Sequence, residues 1–127
     1  MIPKFRCYVK ETESYRDVSS INFLTKEVNV IYPFSGLNWA YSLDDVILEQ
    51  STGLFDMNGV EIFEGDVVKV YYEYDDTFEI GQVFFEKDQL KWVIGREYDW
   101  YVSGKDLFEK CEIIGNIHQN AELLKEE

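Results

Sequence analysis

The sequence is short of basic residues. It contains 12 Lys and Arg against 25 Asp and Glu, a formal net charge of −13 over 127 residues. A field of that sign repels phosphate backbones, so direct nonspecific binding of DNA or RNA is disfavoured. The excess acid indicates either a surface that keeps the protein soluble or an acidic face that meets a basic protein or imitates nucleic acid.

Cysteine and histidine are scarce as well. The two cysteines, Cys7 and Cys111, lie far apart, and His118 is the single histidine. Because no Cys-x-x-Cys pair and no Cys/His cluster is present, the sequence predicts no zinc site, no redox motif and no cofactor. We expect both thiols to be free and buried, in a protein of the reducing cytosol.

Long apolar runs and catalytic motifs are also missing. No stretch approaches the ~18 consecutive apolar residues of a membrane-spanning helix, and the first residues lack the apolar core of a signal peptide. Neither a Gly-x-Ser-x-Gly elbow, a phosphate-binding loop nor a Rossmann fingerprint is present. We therefore expect a cytoplasmic protein that is not an enzyme.

Aromatic residues, by contrast, are abundant. They form 17% of the chain, and hydrophobic residues reach 46%, a composition that excludes disorder and favours strands. The run Val46–Leu48 fits a strand or a helix, because periodicity cannot separate the two at this length. Short apolar runs between turn residues predict strands at 3–9, 15–24, 28–33, 67–74, 78–86, 90–94 and 111–117.

The predicted fold is mainly β, with α+β as the alternative. A small SH3-like barrel is expected over residues 50–127, after a β-rich portion at 1–49, the two forming one compact unit. Within it we predict a connection at Thr52-Gly53, turns at Asn58-Gly59 and Gly65-Asp66, and a loop at 95–104. A short C-terminal helix at 121–125, capped by Asn120, completes the prediction.

Two blocks of sequence resemble the YopX family of phage and prophage proteins. They are Gln50–Val68, which includes Asp56-Met-Asn-Gly and Glu-Gly-Asp-Val-Val, and Ile114–Leu124. Ala121 stands where the family pattern has Pro, which removes a favourable helix-start residue. The resemblance implies a small, mainly β protein encoded by a phage of low-GC Gram-positive bacteria. It implies no catalytic residues.

The pair Asp56-x-Asn58 invites a calcium-loop interpretation, which fails on counting. From Asp56, the sixth position is Glu61 rather than Gly, and the twelfth is Val67 rather than Glu. The asparagine and glycines of this block are instead interpreted as turn residues.

Two further chemical interpretations are weak. Cys111 with His118 could form a nucleophile and base, but nearby acids would raise the thiol pKa. The acids around a predicted hairpin tip could hold a divalent ion, as in a small metal-dependent hydrolase, but such runs are more often solvated turns. These acids are Glu73, Asp75, Asp76 and Glu79.

The remaining functional candidates are aromatic. Exposed aromatic rings are enriched at the energetic centres of protein interfaces, although the same rings could simply close the ends of a barrel. The candidate interaction surface comprises Tyr72, Tyr74, Trp92, Tyr98, Trp100 and Tyr101. The leading hypothesis is a non-enzymatic, phage-derived module that binds a host or phage protein, or a second copy of itself. The alternative is an accessory or regulatory factor in nucleic-acid metabolism that uses the SH3-like barrel.

Overall fold

The computed structural model describes residues 4–32, 34–72, 77–96, 99–103 and 109–125, with 99–103 described by backbone alone. The chain divides into two compact units, Met1–Gln50 and Ser51–Glu127. Both are built from antiparallel strands, which confirms the mainly β prediction. Helical structure in the described residues is limited to two 3-10 helices, Leu43–Asp45 and Ala121–Leu124.

Unit 1 is an antiparallel sheet with the strand order β4-β3-β2-β1-β5. Its core lies where alternate small apolar side chains meet, at Cys7, Val9, Val28, Val30 and Val46. Val side chains suit this position because their branched Cβ packs well on a pleated surface. The strands are β1 (Phe5–Val9), β2 (Ser14–Asn22), β3 (Glu27–Ile31), β4 (Asn38–Ser42) and β5 (Val46–Phe55), the last of which continues into unit 2.

Unit 2 contains a second antiparallel sheet, with the order β10-β9-β8-β7-β11. Its core cluster is Ile62, Val68, Val70, Val83, Ile94 and Cys111. A short strand, β6 (Glu61–Phe63), pairs with the end of β5. The sheet consists of β7 (Asp66–Tyr71), β8 (Phe78–Glu86), β9 (Lys91–Arg96), β10 (Asp99–Ser103) and β11 (Cys111–Asn116).

The SH3-like barrel is not confirmed. Among the described residues, β10 and β11 stand at opposite edges of the unit 2 sheet with no ladder joining them, so the sheet does not close. The predicted 95–104 loop is wrong, because Asp99–Ser103 is a strand that pairs with β9 through a bulge after Trp100. The predicted connection at Thr52-Gly53 is also wrong, because β5 runs through it with Gly53 at φ 77°.

The C-terminal helix is not confirmed as predicted. A four-residue 3-10 helix spans Ala121–Leu124. Asn120 does not cap it; its side-chain oxygen accepts instead from the backbone N–H of Asn116, at 3.2 Å. The two predicted glycine turns are confirmed, since Gly59 has φ 79° and Gly65 has φ 87°, a region that glycine adopts at little cost.

Candidate interaction surfaces

Two of the predicted site residues have described side chains. Trp92 is half-buried, packs against the unit 2 core and meets the ring of Phe85 edge to face at 5.3 Å between centroids. Tyr72 is half-buried, and its backbone N–H donates to the carbonyl of Thr77 at 3.0 Å, closing the hairpin between β7 and β8. The structure thus gives Trp92 a packing role and Tyr72 a turn role.

The other four predicted site residues have no described side chains. Tyr74 and Tyr98 lie outside the described residues. Trp100 and Tyr101 belong to β10, of which only the backbone is described, and the register of β10 shifts between Trp100 and Val102. Their part in a surface stays a prediction.

A surface that the sequence did not predict lies on the outer face of β7 and β8. Tyr71 and Phe78 stand opposite each other across the two strands, with ring centroids 6.3 Å apart. Phe78 is 48% exposed and Tyr71 is 36% exposed. We call these two rings the Tyr71–Phe78 pair.

Charges of both signs border the Tyr71–Phe78 pair. The ammonium nitrogen of Lys69 lies 4.3 Å from the centroid of the Phe78 ring, within the range of a cation–π contact. On the other side the Tyr71 hydroxyl donates to Glu112 at 3.1 Å. Partial desolvation and this hydrogen bond raise the pKa of Tyr71.

The loop after β5 is fixed beside this surface. The Asn58 amide donates to the second oxygen of Glu112 at 3.4 Å. The loop itself is held by Asp56, whose buried carboxylate accepts the backbone N–H groups of Asn58 and Val60, each at 2.9 Å. The sequence motif that resembled a calcium loop is therefore an anchor for backbone donors.

The hairpin between β3 and β4 in unit 1 exposes a second group of apolar side chains. Trp39 is 59% exposed, and Phe34 and Leu37 are more exposed still. No Asp, Glu, Lys or Arg occurs from Val28 to Leu43. The candidate surface predicted from the sequence did not include this hairpin, although the absence of charge from Val28 to Leu43 was a visible signal.

The described residues bear on the two weaker chemical interpretations, a carboxylate metal site and a Cys111–His118 pair. No group of three or more His, Cys, Asp or Glu side chains among the described residues could hold a metal ion; Glu73, Asp75 and Asp76 lie outside them. Burial, followed by the charges of Asp56 and Asp66, raises the pKa of Cys111 to about 12. A thiol of that pKa is a poor nucleophile at neutral pH, which removes the physical basis for a Cys111–His118 pair.

A surface depression of about 400 Å³ lies where β2 extends past the start of β1. It is lined by Lys4, Phe5 and residues 17–21, with polar and apolar atoms mixed. A mixed lining of this kind does not define a ligand. Among the described residues, no helix has the length and hydropathy needed to cross a membrane.

Comparison with known proteins identifies relatives of the whole chain. The model of one family, described as YopX protein, matches residues 4–125. The crystal structure of protein EF1440 from Enterococcus faecalis is similar with a TM-score of 0.63 and 25% identity, over 98% of this chain and 99% of that one. The crystal structure of protein yopX from Bacillus subtilis is similar with a TM-score of 0.62 and 17% identity, over 98% and 97%. No functionally curated protein matches significantly.

Proposed function

Because the chain belongs to the YopX family, as the match over residues 4–125 shows, we propose that it is a phage- or prophage-encoded protein-interaction module without enzymatic activity. It acts in the cytoplasm and binds a host or phage protein, or a second copy of itself. The observation that supports this role is the Tyr71–Phe78 pair, an exposed apolar centre bordered by Lys69 and Glu112.

The chemistry of the pair suits a protein partner. Interface centres combine large aromatic side chains, which bury much area at a low cost in side-chain entropy, with a polar rim that excludes water. Glu112 holds the Tyr71 hydroxyl, and Lys69 lies over the Phe78 ring, so both rings are ordered before a partner arrives. Such preorganisation reduces the entropy lost on binding.

The net charge of the chain indicates which charged residues the partner carries around its contact surface. A chain of charge −13 attracts a basic surface and repels an acidic one during diffusional encounter. We therefore propose a partner that places an apolar side chain against the Tyr71–Phe78 pair and carries basic residues around it. Raising the salt concentration is expected to slow association more than it speeds dissociation.

The test is affinity capture from a lysate of the host, followed by binding of the purified partner. The variant Phe78→Ala is expected to weaken binding at least tenfold, which corresponds to about 1.4 kcal/mol. Phe23→Ala is the matched control, because Phe23 is 73% exposed on the turn between β2 and β3, in the other unit. Absence of a stoichiometric partner together with monomeric behaviour in solution would refute the proposal, and equal binding by both variants would refute the role of the Tyr71–Phe78 pair.

The alternative is an accessory factor in nucleic-acid metabolism, with the unit 2 sheet as the module. One observation favours it: the ammonium group of Lys69 lies over the exposed ring of Phe78. Proteins that bind single-stranded nucleic acid use cations to contact its backbone and aromatic rings to stack on its bases. The net charge opposes it. Fluorescence anisotropy with a labelled single strand decides: salt-sensitive binding that Lys69→Ala weakens supports the alternative, and no binding at low salt removes it.

A further inference from the structure

β4 is an edge strand of the unit 1 sheet. Within the described residues it pairs with β3 alone. Natural proteins protect such edges with charged side chains, proline or bulges, because a free edge can pair with another chain. β4, Asn38–Ser42, contains neither a charge nor a proline, and its register with β3 has no bulge.

Charge distinguishes this edge from the rest of the molecule. Charged residues make up 29% of the chain, yet none occurs from Val28 to Leu43. Two copies of net charge −13 repel each other. The repulsion is weakest where both approach through their uncharged hairpins, because Coulomb energy falls with the separation of the charges. The hairpin is therefore the segment through which a second copy approaches at least cost.

The backbone of β4 has donors and acceptors on its free side. In an antiparallel pair, every second residue exchanges hydrogen bonds with the partner strand. The N–H of Tyr32 donates to the carbonyl of Leu37, and the N–H of Leu43 donates to the carbonyl of Lys26, each at 2.9 Å. Odd-numbered residues of β4 thus bond to β3, and even-numbered residues direct their N–H and C=O groups to the free side. These even-numbered residues are Asn38, Ala40 and Ser42.

We propose that β4 pairs antiparallel with β4 of a second copy, about a two-fold axis at Ala40. In this register Ala40 opposes Ala40, and Asn38 of each copy opposes Ser42 of the other. The free N–H and C=O groups of all three residues then find partners across the axis. The contact is isologous, so it closes as a dimer rather than propagating into a fibre.

The same register covers the exposed tryptophan. Trp39 and Tyr41 pair with Val30 and Val28 of β3, both fully buried, and so they lie on the core face of the sheet. Trp39 is nevertheless 59% exposed, because no strand follows it in the described part of the sheet. Across the axis Trp39 stands opposite Tyr41 of the second copy, at the close Cα spacing of about 4.5 Å that favours aromatic contact.

The inference rests on the proposed interaction role, in which self-association is one branch, and oligomeric state tests it without any partner. Wild type is expected to sediment as a dimer. Ala40 is exposed and lies on the face opposite the core, so Ala40→Lys and Ala40→Glu are expected to fold normally. Each is expected to weaken the dimer at least tenfold, since like charges would meet at the axis. An equimolar mixture of the two is expected to recover the dimer.

Controls separate this interface from any other. The variants Thr25→Lys and Thr25→Glu place the same charges on the exposed turn between β2 and β3 and are expected to remain dimeric. As a second measurement, Ala40→Cys is expected to form an intermolecular disulfide on mild oxidation, because Cα atoms of a directly opposed hydrogen-bonded pair lie about 5.5 Å apart. Asn29→Cys, on the same face but one strand further in, is expected not to.

Three results would overturn the inference. They are a wild-type chain that stays monomeric, a dimer that both Ala40 variants retain, and a monomer whose β4 edge is covered only when a different protein is added. None of them affects the test of the Tyr71–Phe78 pair, which uses Phe78→Ala and a separate partner. Failure of that test, in turn, leaves the sedimentation of the wild-type chain unaffected.

Discussion

The carboxylate of Asp56 accepts the backbone N–H of Ile113 at 3.0 Å, across 57 residues of sequence. The other carboxylate oxygen accepts the N–H groups of Asn58 and Val60. One buried side chain thus fixes the loop after β5 and attaches it to β11. The Met57 N–H, which donates to the Cys111 carbonyl at 2.9 Å, reinforces the same attachment.

Replacement of Asp56 by Ala is expected to lower the free energy of unfolding by about 3–5 kcal/mol. Removal of the carboxylate leaves three backbone N–H groups without their acceptor. Because Asp56 is only 6% exposed, water cannot readily replace that acceptor. Urea denaturation measures it. Asp88→Ala, on the exposed turn after β8, is the control and is expected to change stability by less than about 0.5 kcal/mol. Equal stability of the two variants would contradict the anchoring role.

The local conformation around Asp56 was predictable, and its long-range role was not. Asn58-Gly59 marks a turn because glycine reaches positive φ at little cost, and the structure confirms φ 79° at Gly59. The bond from Ile113 to Asp56 depends on how β11 packs, which residue spacing within the loop does not encode. Counting positions excluded a calcium loop, but it did not reveal the backbone donors that the Asp56 carboxylate accepts.

Among the strands that escaped prediction, β10 and β4 did so for different reasons. β10 lies between Gly95 and Gly104, residues typical of loops, and pairing with β9 makes it a strand despite them. β4 follows Ser35-Gly36, and its Asn, Ala and Ser positions lack strand propensity. The Tyr71–Phe78 pair was not predicted because the sequence prediction limited the turn to Asp75-Asp76. A turn of that length would place Tyr74 opposite Thr77, whereas in the structure Tyr72 bonds to Thr77.

Replacement of Gly115 by alanine is expected to lower stability, because a Cβ atom at this position would clash with Asn120. A Cβ there would lie 2.5 Å from the side-chain oxygen of Asn120 and 2.8 Å from its Cβ. Gly115→Ala should therefore cost about 1–3 kcal/mol by overpacking. Adding Asn120→Gly removes the obstructing atoms, so this second change should stabilise the Gly115→Ala variant while destabilising wild type, where it removes the hydrogen bond to Asn116. Additive effects in thermal unfolding would exclude the clash.

The two buried thiols should make stability fall at alkaline pH. Burial raises the pKa of Cys7 to about 11, and that of Cys111 to about 12, from an ordinary value of 9.0. Their contribution is fully present below pH 9 and is lost as pH rises through these folded-state values, because the unfolded chain releases the thiol protons first. Urea denaturation between pH 8 and pH 11 measures the slope, which should be smaller in a Cys7→Ala, Cys111→Ala variant.

Access to the thiols provides an independent readout. At pH 9 a group of pKa about 12 is about one part in a thousand thiolate. Alkylation of Cys111 in the folded protein, followed by mass spectrometry, should therefore be far slower than in urea and should accelerate only as the protein unfolds. Equal rates in the two conditions would show that the thiol is neither buried nor perturbed.

Unit 1 contains a buried ion pair that stabilises only while it is complete. Glu49 is 2% exposed. One of its oxygens accepts from the guanidinium Nε of Arg6 at 2.8 Å and from the Tyr15 hydroxyl at 2.9 Å. The Arg6 guanidinium also lies 4.3 Å from the centroid of the Tyr15 ring. A carboxylate this far from water depends on these partners, because desolvation of an isolated charge is costly.

Arg6→Met is expected to destabilise the protein by about 3–5 kcal/mol, because it removes the guanidinium that donates to the buried Glu49 carboxylate. The double change Arg6→Met, Glu49→Leu should recover most of that loss, since an apolar pair of similar volume needs no counter-charge. Lys10→Met, which removes an exposed cation next to the end of β1, is the control and should change stability by less than about 1 kcal/mol. Urea denaturation of the four proteins measures these differences in the free energy of unfolding. A double variant less stable than Arg6→Met would mean that Glu49 stabilises unit 1 without Arg6.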